Sequence, residues 1–191
     1  MLESLLKWDR DTFVYLNTLG VEEYDRFWIV ITTINSWIPL FITFFFFIFY
    51  KTKNNIAIRQ TACLLGLVLF IITLTNLTKN AVARLRPNNE GEIGALIRIL
   101  KSPTDYSFFS GHAASSFAIT LLWYLFVRKK IKWAVVFFVW PMLFSLSRIF
   151  VGVHYPLDII AGSLIGCGSA LLFYLLYNQF LAKSLKYSTK G

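Results

Sequence analysis

The chain has 191 residues, 57% of them hydrophobic and 15% charged, against roughly 45–50% and about 25% in a soluble domain. Length allows one domain, and the apolar excess excludes disorder, which needs few apolar residues and much charge. The net charge of +9 is spread over short connections between apolar blocks, a pattern of membrane topology rather than of nucleic-acid binding.

Residues 1–20 place Leu2, Leu5, Leu6, Phe13 and Leu16 near helical spacing, as in an amphipathic helix lying in the membrane interface, with Asp9 interrupting the apolar stripe. The acids Glu3, Asp9 and Asp11 speak against a cleaved signal peptide. Five charge-free blocks follow, at 27–49, 60–78, 108–127, 133–147 and 159–182, together 101 residues. A bilayer core needs about 20 apolar residues per helix. Spans are expected at about 27–49, 57–83, 110–127, 133–150 and 156–182, with Pro39 kinking the first. The expected fold is all-α and integral to a membrane: about five transmembrane helices behind an interfacial helix, in a single domain 1–191. The longest loop, about 85–108, is broken by Pro87, Gly91, Gly94 and Pro103. Cys63 and Cys167 lie inside apolar blocks and act as small fillers. Gly162-x3-Gly166 suits close helix packing within the bundle.

With five spans, the connections after the first and third share a side with the C-terminus. That side holds ten basic residues (Lys51, Lys53, Arg59, Arg128, Lys129, Lys130, Lys132, Lys183, Lys186, Lys190) and no acid. The other side holds nine basic residues and all ten acids. Four of those nine (Lys79, Arg84, Arg86 and Arg148) sit at helix ends at or beside the polar cluster described next, leaving five. The expected arrangement is a cytoplasmic C-terminus in a cytoplasmic (inner) membrane, with the 85–108 and 149–157 loops outside.

Three polar groups fall at membrane depth on the outer side, where charge is costly and marks function. Lys79-x6-Arg86-Pro87 puts two cations nearly two turns apart, close to one face if the helix continues. Ser110-Gly111-His112 opens a helix whose free N–H groups suit an anion. Ser147-Arg148-x5-His154-x3-Asp158 allows a carboxylate to hold one imidazole nitrogen while the other keeps its lone pair, as a histidine nucleophile requires. Three cations around two histidines repel a metal ion and fit phosphate, whose oxygens gain charge in transfer. No metal or other cofactor is expected.

These motifs resemble the three signatures of the type-2 phosphatidic acid phosphatase superfamily, integral membrane lipid phosphatases with vanadium haloperoxidases as soluble relatives. The resemblance spans about 79–158. It implies that His154 is the nucleophile forming a phosphohistidine, that Asp158 orients it and that His112 is the general acid. Lys79, Arg86, Ser110, Gly111 and Arg148 would bind phosphate, with no metal. One departure is Phe109, where the family usually has Pro; it removes no functional group. Arg84, Glu90, Glu92 and Asp105 lie outside the motifs and are expected on a solvated loop face. The partners implied are a lipid phosphate substrate and membrane lipids, not nucleic acid. Undecaprenyl diphosphate leads the substrates so implied, with lipid A, phosphatidylglycerol phosphate and phosphatidate as alternatives. A non-enzymatic phosphate-lipid carrier or channel is the alternative of another class. Against it, no polar residues continue the cluster toward the cytoplasmic side in the spans at about 57–83, 110–127 or 156–182.

Overall fold

A computed structural model describes residues 1–188, with side chains through 180. Lys190 lies outside the described residues, as do the side chains of Lys183 and Lys186. The described residues form helices α1 (Leu2–Thr18), α2 (Asp25–Ile31), α3 (Ile38–Phe49), α4 (Asn54–Val82), α5 (Gly91–Gly94), α6 (Gly111–Val127), α7 (Val139–Phe150) and α8 (Pro156–Ser188), with short 3-10 turns and no strand among them.

All five expected apolar blocks are helical. Two stretches, Asn54–Gly94 (which holds α4) and Pro156–Phe180 of α8, are by themselves long and apolar enough to cross a membrane. A third qualifies only as a bent pair, Glu22–Ile31 with Ile34–Phe49, at 68°. The other two, Gly111–Val127 and Ala134–Phe150, are shorter apolar helices, near the lower limit of about 17 residues for a span.

The first block departs from its expected shape. The bend falls at Thr32–Thr33 and not at Pro39, which sits in the first turn of α3 where its missing N–H costs nothing. The break has its own hydrogen bonds. Trp37 Nε1 donates to Ile31 O at 2.8 Å, and Thr33 Oγ1 donates to Ile29 O at 2.7 Å. Carbonyls freed by a break need such partners in a membrane.

α6 and α8 form the tightest pair. A Cβ on Gly162 would lie 2.6 Å from Ser110 O, and one on Gly166 would lie 2.3 Å from Ala114 O. The two glycines therefore let the helices touch backbone to backbone inside the bundle. α4 completes this half of the core through Leu67 and Ile71, packed with Phe109, Leu122 and Ala170. Phe109 is wholly buried there, so the residue replacing proline anchors the loop that enters α6. A second cluster, with Phe44, Trp123, Trp140 and Phe144, joins α3 to α6 and α7.

α1 is a helix as expected, but its protein-facing side is not the apolar stripe. Asp9, Phe13 and Asn17 are its buried residues, while Leu2, Leu5, Leu6 and Trp8 are exposed. Apolar side chains turned outward suit contact with lipid at the interface.

Candidate active site

α4 ends, α6 begins, α7 ends and α8 begins at one end of the bundle, and all eight candidate residues gather there. α4 stops at Val82, and Ala83 takes a left-handed conformation with φ of 50°. The helix therefore does not carry Lys79 and Arg86 on one face, as its continuation would. Arg86 lies in extended chain, paired to the opposite loop where Ser107 N donates to Arg84 O at 2.8 Å. The two cations still meet, because both bind the Asp105 carboxylate. Lys79 Nζ donates to Asp105 Oδ2, and Arg86 Nη2 donates to both carboxylate oxygens at 2.9 and 3.0 Å. Burial alone would raise the Asp105 carboxyl, but Lys79 and Arg86 outweigh it and hold it at about 2.

Ser110 caps α6, its Oγ accepting from Ala113 N at 3.4 Å, and its own N–H donates to Asp158 O at 3.0 Å. Gly111 packs against α4: a Cβ there would sit 3.1 Å from Thr75 Cγ2. His112 lies on Phe144, with ring centroids 4.9 Å apart. Arg148 is buried, donates from Nη1 to Thr32 Oγ1 at the break between α2 and α3, and has no partner for Nε among the described residues.

His154 follows a turn that only glycine fits well. Gly152 has φ of 82°, and a Cβ there would lie 2.6 Å from Arg98 O. α8 begins at Pro156, so His154 and Asp158 meet at a helix start and not along a helix face. Asp158 Oδ2 lies 3.3 Å from His154 Nδ1 and also accepts from Tyr155 N at 3.1 Å and from Ser107 Oγ. Ser107 Oγ lies 3.3 Å from the same Nδ1. On the other edge of the ring, Nε2 lies 2.9 Å from Arg86 Nη1. The ring is wholly buried, with the Asp158 carboxylate on one side and the Arg86 guanidinium on the other. That geometry directs Nε2 to the place where an anion held by Arg86 would sit.

Three residues expected on a solvated loop face are part of this site. Arg84 bridges two carboxylates, Asp158 Oδ1 at 2.9 Å and Asp9 Oδ2 at 2.6 Å. Asp105 holds Lys79 and Arg86. Glu90 accepts from the Tyr155 hydroxyl; burial first, then Glu90, push that phenol up, which keeps it a donor at neutral pH. Asp105 remains largely exposed while it pairs with the two cations. Ser107 and Asp9 were not read as site residues. Asp9 did carry a signal, a carboxylate on an apolar stripe at the membrane.

Beside His112 runs a groove of about 380 Å³ whose lining includes Trp37, Phe41, Thr75, His112, Trp140 and Phe144. It is almost wholly apolar, and His112 forms part of its wall.

The PAP2 superfamily model matches residues 60–182. Over 192 aligned residues the chain is 29% identical to a lipid A 4'-phosphatase of Bacteroides thetaiotaomicron, covering 96% of this chain and 83% of the relative. It is 36% identical over 137 residues to an undecaprenyl-diphosphatase of Sulfolobus acidocaldarius, covering 68% of this chain and 58% of that one. The fold superposes with a TM-score of 0.71 on a crystal structure of a transmembrane PAP2-type phosphatidylglycerolphosphate phosphatase from Bacillus subtilis, at 18% identity, covering 94% of this chain and 87% of the other.

Proposed function

The chain belongs to the PAP2 superfamily, and from that premise we propose that it hydrolyses the phosphate or diphosphate of a membrane lipid through a phosphohistidine on His154. The observation that carries this reading is the place of His112, which lines an apolar groove and lies within the field of Arg148, Arg86 and Lys79. The groove takes the lipid chain and the cations take the phosphate.

Lys79, Arg86 and Arg148, with Ser110 and the Gly111 amide, bind the phosphate oxygens. His154 Nε2 attacks phosphorus, the bond to the leaving oxygen breaks, and His112 gives that oxygen a proton. The electron pair of the broken bond stays on the leaving oxygen. Water then attacks the phosphohistidine, His112 takes a proton from the water, and phosphate and free His154 result. Asp158 faces Nδ1 and offsets the positive charge that builds on the ring. The cations gain as negative charge spreads over the transferred group.

Undecaprenyl diphosphate is the leading substrate of this reading. Lys101 Nζ donates to Thr33 Oγ1 at 3.4 Å, next to the Thr32 that receives Arg148. Burial, then the Arg148 charge, lower the Lys101 ammonium, which marks the two cations as neighbours. A diphosphate has a second anionic group for this fourth cation. The second reading, a lipid A phosphate, is favoured by the relative of that name that matches nearly the whole chain. Charge bias supports placing the site at the outer face of a cytoplasmic membrane.

The test is phosphate release by purified protein over a panel of lipid phosphates with EDTA present. Undecaprenyl diphosphate should be hydrolysed best, and Lys101→Ala should raise KM for it more than for a monophosphate. Release only from lipid A would replace the first reading with the second. No release from any lipid phosphate would refute both.

A further inference from the structure

α1 contributes nothing to the three motifs, yet one of its faces is built against the groups that carry them. Asp9, Phe13 and Asn17, four residues apart, are its buried positions. Asn17 Nδ2 donates to Ile149 O at 2.8 Å, and its Oδ1 accepts from Arg98 N at 2.7 Å. Phe13 meets the Tyr155 ring edge-on, with centroids 5.3 Å apart. Asp9 is wholly buried. Its Oδ1 accepts from Leu157 N, in the first turn of α8, at 2.8 Å. Its Oδ2 accepts from Arg84 Nη2, and Arg84 Nη1 reaches Asp158 Oδ1. The guanidinium lies over the Tyr155 ring, 4.1 Å from its centroid.

A buried carboxylate is expensive, and an apolar residue would fill the same space at less cost. Asp9 does two things an apolar residue cannot. It fixes the start of α8 through Leu157, one residue from Asp158. It also shares Arg84 with Asp158. One guanidinium between two carboxylates leaves a net negative charge, so Asp158 is oriented without being neutralised. Its other oxygen, Oδ2, is then free to face His154 Nδ1, Tyr155 N and Ser107 Oγ.

We propose that Asp9 is a positioning residue for the His154–Asp158 pair, acting through Arg84 and the Leu157 N–H. The proposal rests on the reading of His154 as nucleophile. Without the Asp9 charge, Arg84 is drawn wholly to Asp158. Its carboxylate then supports the positive charge on His154 less well, and attack on phosphorus slows. The phosphate-binding cations are separate, so substrate affinity stays.

The experiment measures kcat and KM for phosphate release from farnesyl diphosphate by the full chain in detergent, with thermal melting alongside. Asp9→Asn keeps the shape and an acceptor for Leu157. Asp9→Ser is a second neutral variant should the first not accumulate. Asn17→Ala is the control, since it loosens the same helix without touching Arg84. By analogy with outer-shell carboxylates, both Asp9 variants should lose about tenfold or more in kcat with KM unchanged. Asn17→Ala should melt earlier yet keep kcat within roughly twofold. Asp9→Asn added to Arg84→Gln should slow the enzyme no further than Arg84→Gln alone. Equal kcat losses in Asn17→Ala and Asp9→Asn, wild-type kcat in Asp9→Asn, or losses that multiply in the double variant would overturn the proposal. Failure of the underlying reading looks different: wild type would release phosphate from neither farnesyl diphosphate nor lipid A (the variants being compared on whichever is hydrolysed), or His154→Ala would remain active.

Discussion

The two histidines differ in what their loss should reveal. His154 faces Asp158 and Arg86, and His112 lines the apolar groove; in the proposed reaction the first attacks phosphorus and the second protonates the leaving oxygen. General acid help is worth roughly 10²–10⁴-fold and matters most for a poor leaving group. His112→Ala should therefore cost much of that range on an alkyl phosphate and clearly less on a nitrophenyl phosphate. His154→Ala should abolish both. Equal damage to the two substrates by His112→Ala would assign it another role. Asp105 invites a second test. Its carboxylate occupies Lys79 and Arg86, the cations assigned to phosphate, and they hold its carboxyl at about 2. It therefore stays ionised as pH falls through the ordinary carboxylate range, and its pairing is lost only as pH approaches about 2. At neutral pH it would therefore compete with a phosphate for these two cations. Asp105→Asn should tighten inhibition by vanadate, a mimic of the five-coordinate phosphorus; weaker inhibition would mean that Asp105 orders the cations instead. The eight motif residues could be found in the sequence because their spacing is fixed by chemistry. Arg84, Asp105 and Ser107 could not, because their partners are brought by tertiary contacts, and Asp9 showed only as a charge on an apolar stripe, with its partners 75 and 148 residues away.

At the scale of elements, apolar length located the helices within a few residues. It could not show how the first span breaks. That bend depends on Arg148 taking Thr32 and on Trp37 taking the Ile31 carbonyl, contacts that a hydropathy pattern does not encode. The end of α4 was hidden for a similar reason: Ala83 is a good helix former held left-handed, and Arg86 is pulled away toward Asp105 and the Val153 carbonyl. The glycines of α8 were legible, since small residues four apart read as a contact face. The contact has a measurable consequence. A methyl on Gly166 would fall 2.3 Å from Ala114 O, a backbone atom with no freedom to swing aside. Gly166→Ala should then cost about 1–3 kcal/mol by overpacking, read as a lower melting temperature in detergent. A Gly168→Ala control meets nothing within 4 Å and should leave melting unchanged or raise it, since alanine is the better helix former. Because α6 carries His112 and α8 carries Asp158, separation of the two helices should also lower kcat in Gly166→Ala. Loss of stability in the Gly168 variant alone would place the tight face elsewhere.

At the scale of the molecule, every group of the candidate site lies at one end of the bundle, so a single question of orientation decides which compartment the phosphate enters. Charge supplies the answer proposed here. The connection that starts α4 and the turn after α6 are basic and free of acid, whereas the loops around the site mix both signs. Short basic loops are retained in the cytoplasm, and the site then faces out. Single-cysteine labelling in intact cells tests this, after Cys63 and Cys167, both half-buried in the helices, have been replaced. Asn89 is exposed in the site-side loop, whereas its neighbour Asn88 is half-buried, so Asn89 is the better probe. Asn54 is exposed at the opposite end, at the start of α4. A cysteine at Asn89 should react with a membrane-impermeant thiol reagent in intact cells, and one at Asn54 should react only after the membrane is opened. Both must react in detergent, which separates topology from simple burial. The reverse pattern in cells would turn the molecule over, put His154 on the cytoplasmic side and confine the enzyme to lipid phosphates of the inner leaflet.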